Sequence, residues 1–315
     1  MMDALSAKPN DFVEAALLVR AGMVESRHRA IAAIVGPDGK LFAELGAAKR
    51  LIYPRSAVKP LQAVAMQRAG LHLTGAELAI STASHQGTPE HIRLVQSILA
   101  NAGLTESDLQ CPLAWPGNPE ARSAATAQSR IAFNCSGKHA GFLAAAVAAG
   151  WSTNDYLAAT HPLQQLIVEV LEEYSGEQIV NSTIDGCGAP LHTNTVEGLA
   201  RAIGKFAATD REIFDAMVGN AWVVGDQNSA DAVVMRATGF VAKIGAEGVF
   251  VIGTPEGYGV AVKVADGSHR ATALIALEFM RKHDLVSQSQ FDAVFTELAP
   301  KVLGGDEIVG EFVLL

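Results

Sequence analysis

Charge, sulphur and aromatic rings are all scarce in this chain. Of its 315 residues, 18% are charged and 6% aromatic, and the formal net charge is −9. An acidic surface repels phosphate backbones, and no basic run with interleaved aromatics offsets it, so a nucleic-acid partner is not expected. No apolar run approaches the ~20 residues that a membrane-spanning helix needs. The longest, such as Gly141 to Gly150, are much shorter, so no membrane partner is expected either. The first 20 residues are acidic at the start with a brief apolar run, unlike a secretory signal, and a cytoplasmic location is expected. Three cysteines without a Cys-x-x-Cys pair do not make a disulfide framework. They belong to the core, to catalysis or to a metal. Asn181-Ser-Thr183 matches a glycosylation sequon that a cytoplasmic protein leaves unmodified.

What the chain does have is apolar bulk, 49% hydrophobic residues, enough for a sizeable core. Period-two alternation marks strands over residues 15–20, 28–35 and 40–45, the last two joined by Gly36-Pro-Asp-Gly39. Helical spacing takes over at residues 61–70 and continues over 89–103, 138–150, 161–174 and 196–207. Strands return at 239–245, 248–253 and 258–264. Two helices follow, over 272–282 and 291–298, and a final strand runs over 307–315. Strand-forming segments at both ends and helices between them predict an α/β fold of the α+β type. Its antiparallel sheet is built from both chain ends (about 10–55 and 235–315), with packed helices and an inserted helical lobe (about 56–234). With no composition shift or linker, we expect a single domain over 1–315.

Ser56 and Lys59 stand three residues apart, between Pro54 and Pro60. On a helix such residues share a face, and Pro60 has no N–H, so the first turn is irregular or the regular helix begins there. A serine hydroxyl becomes a nucleophile when a base removes its proton. A lysine amine can do this once burial or a neighbouring cation disfavours its charge. The requirement is therefore a second buried lysine. Lys263, in the apolar strand Tyr258-Gly-Val-Ala-Val-Lys-Val264, and Ser84, in Ile80-Ser-Thr-Ala-Ser-His-Gln-Gly87, are the candidates. The competing reading is a helix cap, an edge-strand lysine and a turn serine.

Asn134-Cys-Ser-Gly-Lys-His-Ala-Gly141 and Asp185-Gly-Cys-Gly-Ala-Pro190 each place a cysteine among small residues. Cys135 and Cys187 are candidate zinc thiolates, with Lys138, His139, Asp185 and His192 near them in sequence, or else small buried core residues. Cys111 reads as structural, and His85 and His91 as turn and helix packing. His139 is placed to touch a ligand, and Arg55 to clamp a carboxylate by a forked pair of bonds.

These segments, taken in order, resemble the L-asparaginase II family (the Rhizobium-type asparaginases). The blocks are Arg55-Ser-Ala-Val-Lys-Pro-Leu-Gln62, Ala83-Ser-His-Gln-Gly87, Asn134 to Leu143, Asp185 to Leu191 and Val260-Ala-Val-Lys-Val-Ala-Asp-Gly267. The resemblance implies a homodimeric amidohydrolase that converts L-asparagine to L-aspartate and ammonia, with a fold like serine β-lactamases and glutaminases. It implies Ser–Lys tandems at Ser56–Lys59 and Ser84–Lys263. It also implies zinc on Cys135, Lys138 and Cys187, shaping the pocket rather than activating water; on the residues themselves we expect Arg55, His139 and Asp185 toward the substrate. The family's asparagine before a Val-Gly pair is absent near the C-terminus, where the chain reads Val302-Leu-Gly-Gly-Asp-Glu-Ile-Val-Gly310. Two alternatives remain: a glutaminase or β-lactamase-like serine hydrolase, and a non-catalytic zinc-dependent amino-acid-binding protein. Penicillin recognition normally uses a Lys-Thr-Gly-like strand, and Ala261-Val-Lys-Val264 is not one.

Overall fold

A computed structural model describes residues 5–315. The elements in chain order are β1 (Val13–Arg20), β2 (Met23–Val35), β3 (Leu41–Leu45), β4 (Leu51–Ile52), α1 (Lys59–Arg68), α2 (Gly75–Ser81), α3 (Pro89–Asn101), α4 (Pro119–Ala124), α5 (Ser136–Ala148) and α6 (Pro162–Ser175). Then come β5 (Ser182–Ile184), β6 (Pro190–His192), β7 (Asn194–Thr195), α7 (Val196–Thr209), α8 (Arg211–Gly219), α9 (Ala221–Val224), α10 (Ala230–Thr238), β8 (Val241–Gly245), β9 (Val249–Gly253) and β10 (Gly259–Val264). The last are α11 (Thr272–Arg281), α12 (Gln288–Leu298), β11 (Leu303–Gly304), β12 (Glu307–Ile308) and β13 (Gly310–Leu314). The chain divides into two compact units. One holds the residues up to Ala57, Thr193–Ala208 and Val233–Leu315; the other holds Val58–His192 and Thr209–Ala232.

The first unit is the antiparallel sheet that the two chain ends were expected to build. Its order is β13-β1-β2-β10-β9-β8, with β3 also on β2. β2 organises it. Met23 to Ala30 pair with β1, Ala32 to Val35 pair with β3, and the other edge of residues 30–35 takes β10. Residues 30–35 are all buried, as a strand covered on both faces requires. The run read as one final strand splits at Val309. β12 turns back on β11 as a small hairpin, while β13 pairs with β1.

α7 lies directly on the sheet. A Cβ on Gly259 of β10 would overlap the Ala200 carbonyl oxygen of α7, and one on Gly253 of β9 would come within 2.7 Å of the Ile203 carbonyl oxygen. Glycine therefore sets how closely the helix can approach. α11 packs on β9 and β10, and every residue of β9 is buried.

The second unit is helical. α5 is its centre: every residue from Ser136 to Ala146 is buried, against α1, α2, α3 and α6. Only small side chains permit this. A Cβ on Gly137 would overlap the Ile80 carbonyl oxygen, and one on Gly141 would lie 2.7 Å from the Met66 sulphur. α6 ends on Gly176 in the left-handed region, which supplies its C-terminal stop. The short helices α2, α4, α8, α9 and α10 are too brief for periodicity to reveal.

Two expectations follow from this packing. Gly259→Ala forces a methyl into a helix backbone, so it should lose roughly 1–3 kcal/mol in chemical denaturation or fail to fold, whereas the open Gly70 should tolerate alanine far better despite its positive φ. The second concerns pH. Burial holds His28, His85, His91, His139 and His192 below the ordinary histidine value of 6.5. Neutral rings favour the folded state, so their contribution is complete above pH 6.5 and is lost as the pH falls toward the depressed folded values. The thermal midpoint should drop between pH 7.5 and 5.5 by differential scanning calorimetry. The slope should be shallower in His28→Gln, which lacks one such ring.

Candidate active site

Pro60 has no N–H to give, and the chain answers with a 3-10 turn, Arg55–Val58, that runs straight into α1 at Lys59. Arg55 sits at φ +54, left-handed for a residue with a Cβ. Such a conformation stores about 1–3 kcal/mol and persists only where its surroundings fix it. The fixing element is β8. A Cβ on Gly245 would overlap the Pro54 carbonyl oxygen and come within 3.1 Å of the Ala57 amide nitrogen, so the strand end lies against the backbone on both sides of Arg55 and the half-buried Ser56.

Two residues before Gly245, and therefore on the same sheet face, is Lys243. It is 0% exposed and donates to the Ile244 carbonyl at 3.1 Å. The sequence reading passed over this lysine. Its signal was available: a lysine in the apolar strand Val241–Gly245, two residues before a glycine. Lys263 is half-buried on β10. It occupies one cross-strand row with Val249 and Gly245, and so faces the same side of the sheet roughly 10 Å from Gly245. Its amine donates to the carbonyls of Glu247 at 2.6 Å and Val264 at 2.7 Å. Desolvation lowers its pKa, against the opposing pull of Glu247 and Asp266.

In the helical unit, Lys59 is 1% exposed, and its amine is a junction. It donates to the Ala83 carbonyl, lies 3.0 Å from the Ser84 hydroxyl oxygen and 3.3 Å from the Cys135 sulphur. The Ser84 hydroxyl is thus engaged by Lys59. Ser84 is anchored by its own N–H, which donates to the Val224 carbonyl at 2.8 Å. His85 fixes the same segment from the other side. Its Nδ1 accepts from the Gly87 N–H, and its Nε2 lies 2.8 Å from the Ser136 hydroxyl at the start of α5.

The cysteine segments converge. Cys135 stands at the N-cap of α5 and Lys138 one turn on, with the Lys138 amine 3.0 Å from the Cys187 sulphur. Cys187 belongs to the tight turn Asp185–Gly188, in which the Gly186 N–H binds the Asp185 carboxylate and the Cys187 sulphur lies 4.0 Å from it. A hydrogen bond from Cys187, then the amines of Lys59 and Lys138, hold the Cys135 thiol well below its usual 9.0 against the cost of burial. The same partnership and burial push Cys187 up. The pair is therefore unequal, with Cys135 the more acidic of the two thiols. Burial works against the Lys138 charge, but the sulphurs and Asp185 outweigh it and raise its pKa.

No group of three His, Cys, Asp or Glu gathers among the described residues, so a metal here depends on the lysine. The donor set fits. The Lys138 amine stands 3.0 Å from the Cys187 sulphur, and Cys187 shares a hydrogen bond with Cys135. Around a tetrahedral zinc such donors stand roughly 3.5 Å apart, a small opening from 3.0 Å. His139, fully buried, bonds through Nδ1 to the Tyr156 hydroxyl at 2.8 Å, and its Nε2 has no hydrogen-bond partner among the described groups. Cys111 is apart from this cluster. Burial raises its thiol to about 12, and it bonds to the Arg130 backbone, a structural place.

Comparison with known proteins places this geometry in context. The model of the L-asparaginase II family matches residues 16–314. No curated protein gives a significant match. Among solved structures the chain is similar to Mglu in its glutamate form, at 15% identity and a TM-score of 0.46, over 82% of this chain and 61% of that one. It is also similar to Mglu in its native form (15%, 0.44, 82% and 66%) and in its tris and glutamate form (14%, 0.45, 90% and 67%). The chain thus spans about two thirds of the length of those proteins or less. The family match covers nearly the entire sequence: the chain belongs to the L-asparaginase II family.

Proposed function

We propose that the chain is an amidohydrolase that converts L-asparagine to L-aspartate and ammonia through a serine acyl-enzyme. Family membership supports the reaction class. The observation that carries the chemistry is the buried Lys59 amine 3.0 Å from the Ser84 hydroxyl oxygen, in a helix whose preceding turn presents Ser56.

In this reading Lys59 reacts in its neutral form, with the Cys135 sulphur beside it protonated; the Ser56 Oγ attacks the side-chain amide carbon, and Lys59 accepts the hydroxyl proton as the C–O bond forms. The Ser56 N–H, at the helix entrance, donates to the developing oxyanion. The proton passes from Lys59 through the Ser84 hydroxyl to the leaving nitrogen, the C–N bond breaks, and ammonia departs. Water then attacks the ester, gives a proton back to Ser56 by the same path, and L-aspartate leaves. A second amine keeps the local charge poised. The resemblance assigns it to Lys263; the complete burial of Lys243, on the strand that braces the Ser56 turn, favours Lys243.

Zinc, where bound, would be held by Cys135, Lys138 and Cys187 and would supply a fixed positive charge for orienting the substrate. Asp185 and His139 stand beside that set to position the α-ammonium and α-carboxylate, with Arg55 as a further carboxylate partner. We place the enzyme in the cytoplasm as a homodimer; sedimentation velocity checks the second point. No described helix is long and apolar enough to cross a membrane.

Ammonia release from asparagine, glutamine and a chromogenic β-lactam in parallel tests the reaction. We expect asparagine to be the preferred substrate, with loss of roughly 10³-fold or more in kcat for Ser56→Ala. A hydroxylamine-trappable adduct should survive in Ser84→Ala and vanish in Ser56→Ala; the reverse pattern would exchange the two serines. Comparing Lys243→Met with Lys263→Met decides the second amine by which one loses turnover while retaining the fold. For the metal, Cys135→Ser should lose bound zinc by atomic absorption. Chelation of the parent should raise KM more than it lowers kcat, and ammonia release that is wholly abolished by chelation would contradict the pocket-shaping role.

A further inference from the structure

Tyr156, in the connection between α5 and α6 of the helical unit, is 0% exposed, and the proposed reaction gives it no part. It is held at both ends. Its carbonyl accepts the Gln164 side-chain N–H of α6 at 2.9 Å. Its hydroxyl meets two partners, the Gln110 N–H at 2.9 Å and the His139 Nδ1 at 2.8 Å. We propose that Tyr156 is a positioning residue: its hydroxyl fixes the His139 hydrogen on Nε2, so that this nitrogen donates to the α-carboxylate of the substrate. The inference rests on the amidohydrolase reading and deepens it.

The hydrogens around Tyr156 decide the tautomer. A backbone N–H can only donate, so the Tyr156 oxygen accepts from Gln110. Burial raises the phenol's pKa, against the pull of the Gln110 N–H, so the hydroxyl keeps its hydrogen. A buried hydroxyl hydrogen calls for an acceptor, and of its two partners only His139 Nδ1 has a lone pair to offer. Nδ1 therefore accepts, and the ring carries its hydrogen on Nε2. The opposite tautomer would aim an Nδ1 hydrogen at the same oxygen and leave the buried phenol hydrogen unmatched. A second proton on the ring would go to Nδ1 and leave Nε2–H in place, so the donor does not depend on the charge of the ring.

The surroundings of Nε2 say what it donates to. His139 is 0% exposed, and its Nε2 completes no hydrogen bond among the described groups. The residue follows Cys135 by one helical turn, its N–H donating to the Cys135 carbonyl at 3.1 Å, and residues so spaced share a helix face. The Cys135 sulphur on that face meets the Lys59 amine. Burial, then the charges of Lys138 and Lys59, hold the ring below the ordinary histidine value, so the neighbourhood is cationic. A donor among amines suits an anionic acceptor. Of the two ends of an α-amino acid, the carboxylate fits, and the ammonium would set like charge against Lys138. The same tautomer leaves Nε2 no lone pair for a metal, so His139 stands outside the zinc donors.

Nuclear magnetic resonance of the full chain with isotope-labelled histidine nitrogens reads the tautomer, and His139→Gln identifies the signal by its loss. The hydrogen should sit on Nε2 in the parent and distribute over both nitrogens in Tyr156→Phe, which removes only the hydroxyl. L-aspartate should shift the Nε2–H signal, and β-alanine, the same molecule without its α-carboxylate, should shift it far less. In turnover, Tyr156→Phe should raise KM for L-asparagine by about tenfold while kcat stays within about threefold. His139→Gln, which keeps an N–H near the Nε2 position, should hold KM closer to the parent than His139→Leu. Bound zinc, by atomic absorption, should be the same in Tyr156→Phe as in the parent. A hydrogen on Nδ1 in the parent overturns the proposal. So does an Nε2–H signal that L-aspartate leaves unmoved or that β-alanine moves equally, and so does loss of zinc from a folded Tyr156→Phe. If circular dichroism shows that Tyr156→Phe does not fold, the tautomer and ligand response of the parent still decide. Neither needs turnover, so a chain that releases no ammonia refutes the amidohydrolase reading while this test still returns an answer.

Discussion

The Lys59 amine is the interaction on which the candidate site depends. A charge-capable nitrogen almost withdrawn from water must be satisfied by what surrounds it, and here that is a carbonyl, a hydroxyl and a sulphur, at Ala83, Ser84 and Cys135. They come from two local structures: the adjacent residues Ala83 and Ser84 of the connection between α2 and α3, and the cap of α5. Moving any one of them breaks the set. The surrounding packing is accordingly tight, with His85 tying its stretch to Ser136 and with glycines letting α5 touch α2.

The sulphur side of this junction has its own logic. Two thiols in contact, flanked by two lysines, do not ionise alike. Cys135 is pushed toward the thiolate, and Cys187 away from it. Lys138 is held positive by that arrangement, so a metal replacing the hydrogen bonds displaces protons as it enters.

Much of the sheet was legible because its signal is local. Alternation and the uninterrupted apolar stretch of residues 30–35 mark strands whether or not their partners are known. Which strand pairs with which is not local, and the split of the last strand at Val309 shows it: β12 answers to β11 and β13 to β1, and no feature of the run itself announces two partners. The site was legible unevenly for the same reason. Ser56 and Lys59 are joined by two residues, so spacing raised them. Cys135 and Cys187 meet only through folding; their small-residue surroundings raised them as candidate thiolates, and Lys138 joined them as a ligand only through resemblance. Lys243 was overlooked although an apolar strand surrounds it just as one surrounds Lys263. What distinguishes it, a glycine two residues on that admits the Pro54–Ala57 backbone, has meaning only once that backbone is in place.

From Ser136 to Ala146, α5 has no side of its surface facing water. Such a rod has little freedom to accumulate change. Substitutions along it are restricted to exchanges that preserve bulk, and those at Gly137 to none at all. Differences in preference among enzymes built on this scaffold therefore have to arise elsewhere, in the exposed connections around the rod, while the rod itself serves as the fixed datum from which Cys135 and Lys138 are measured.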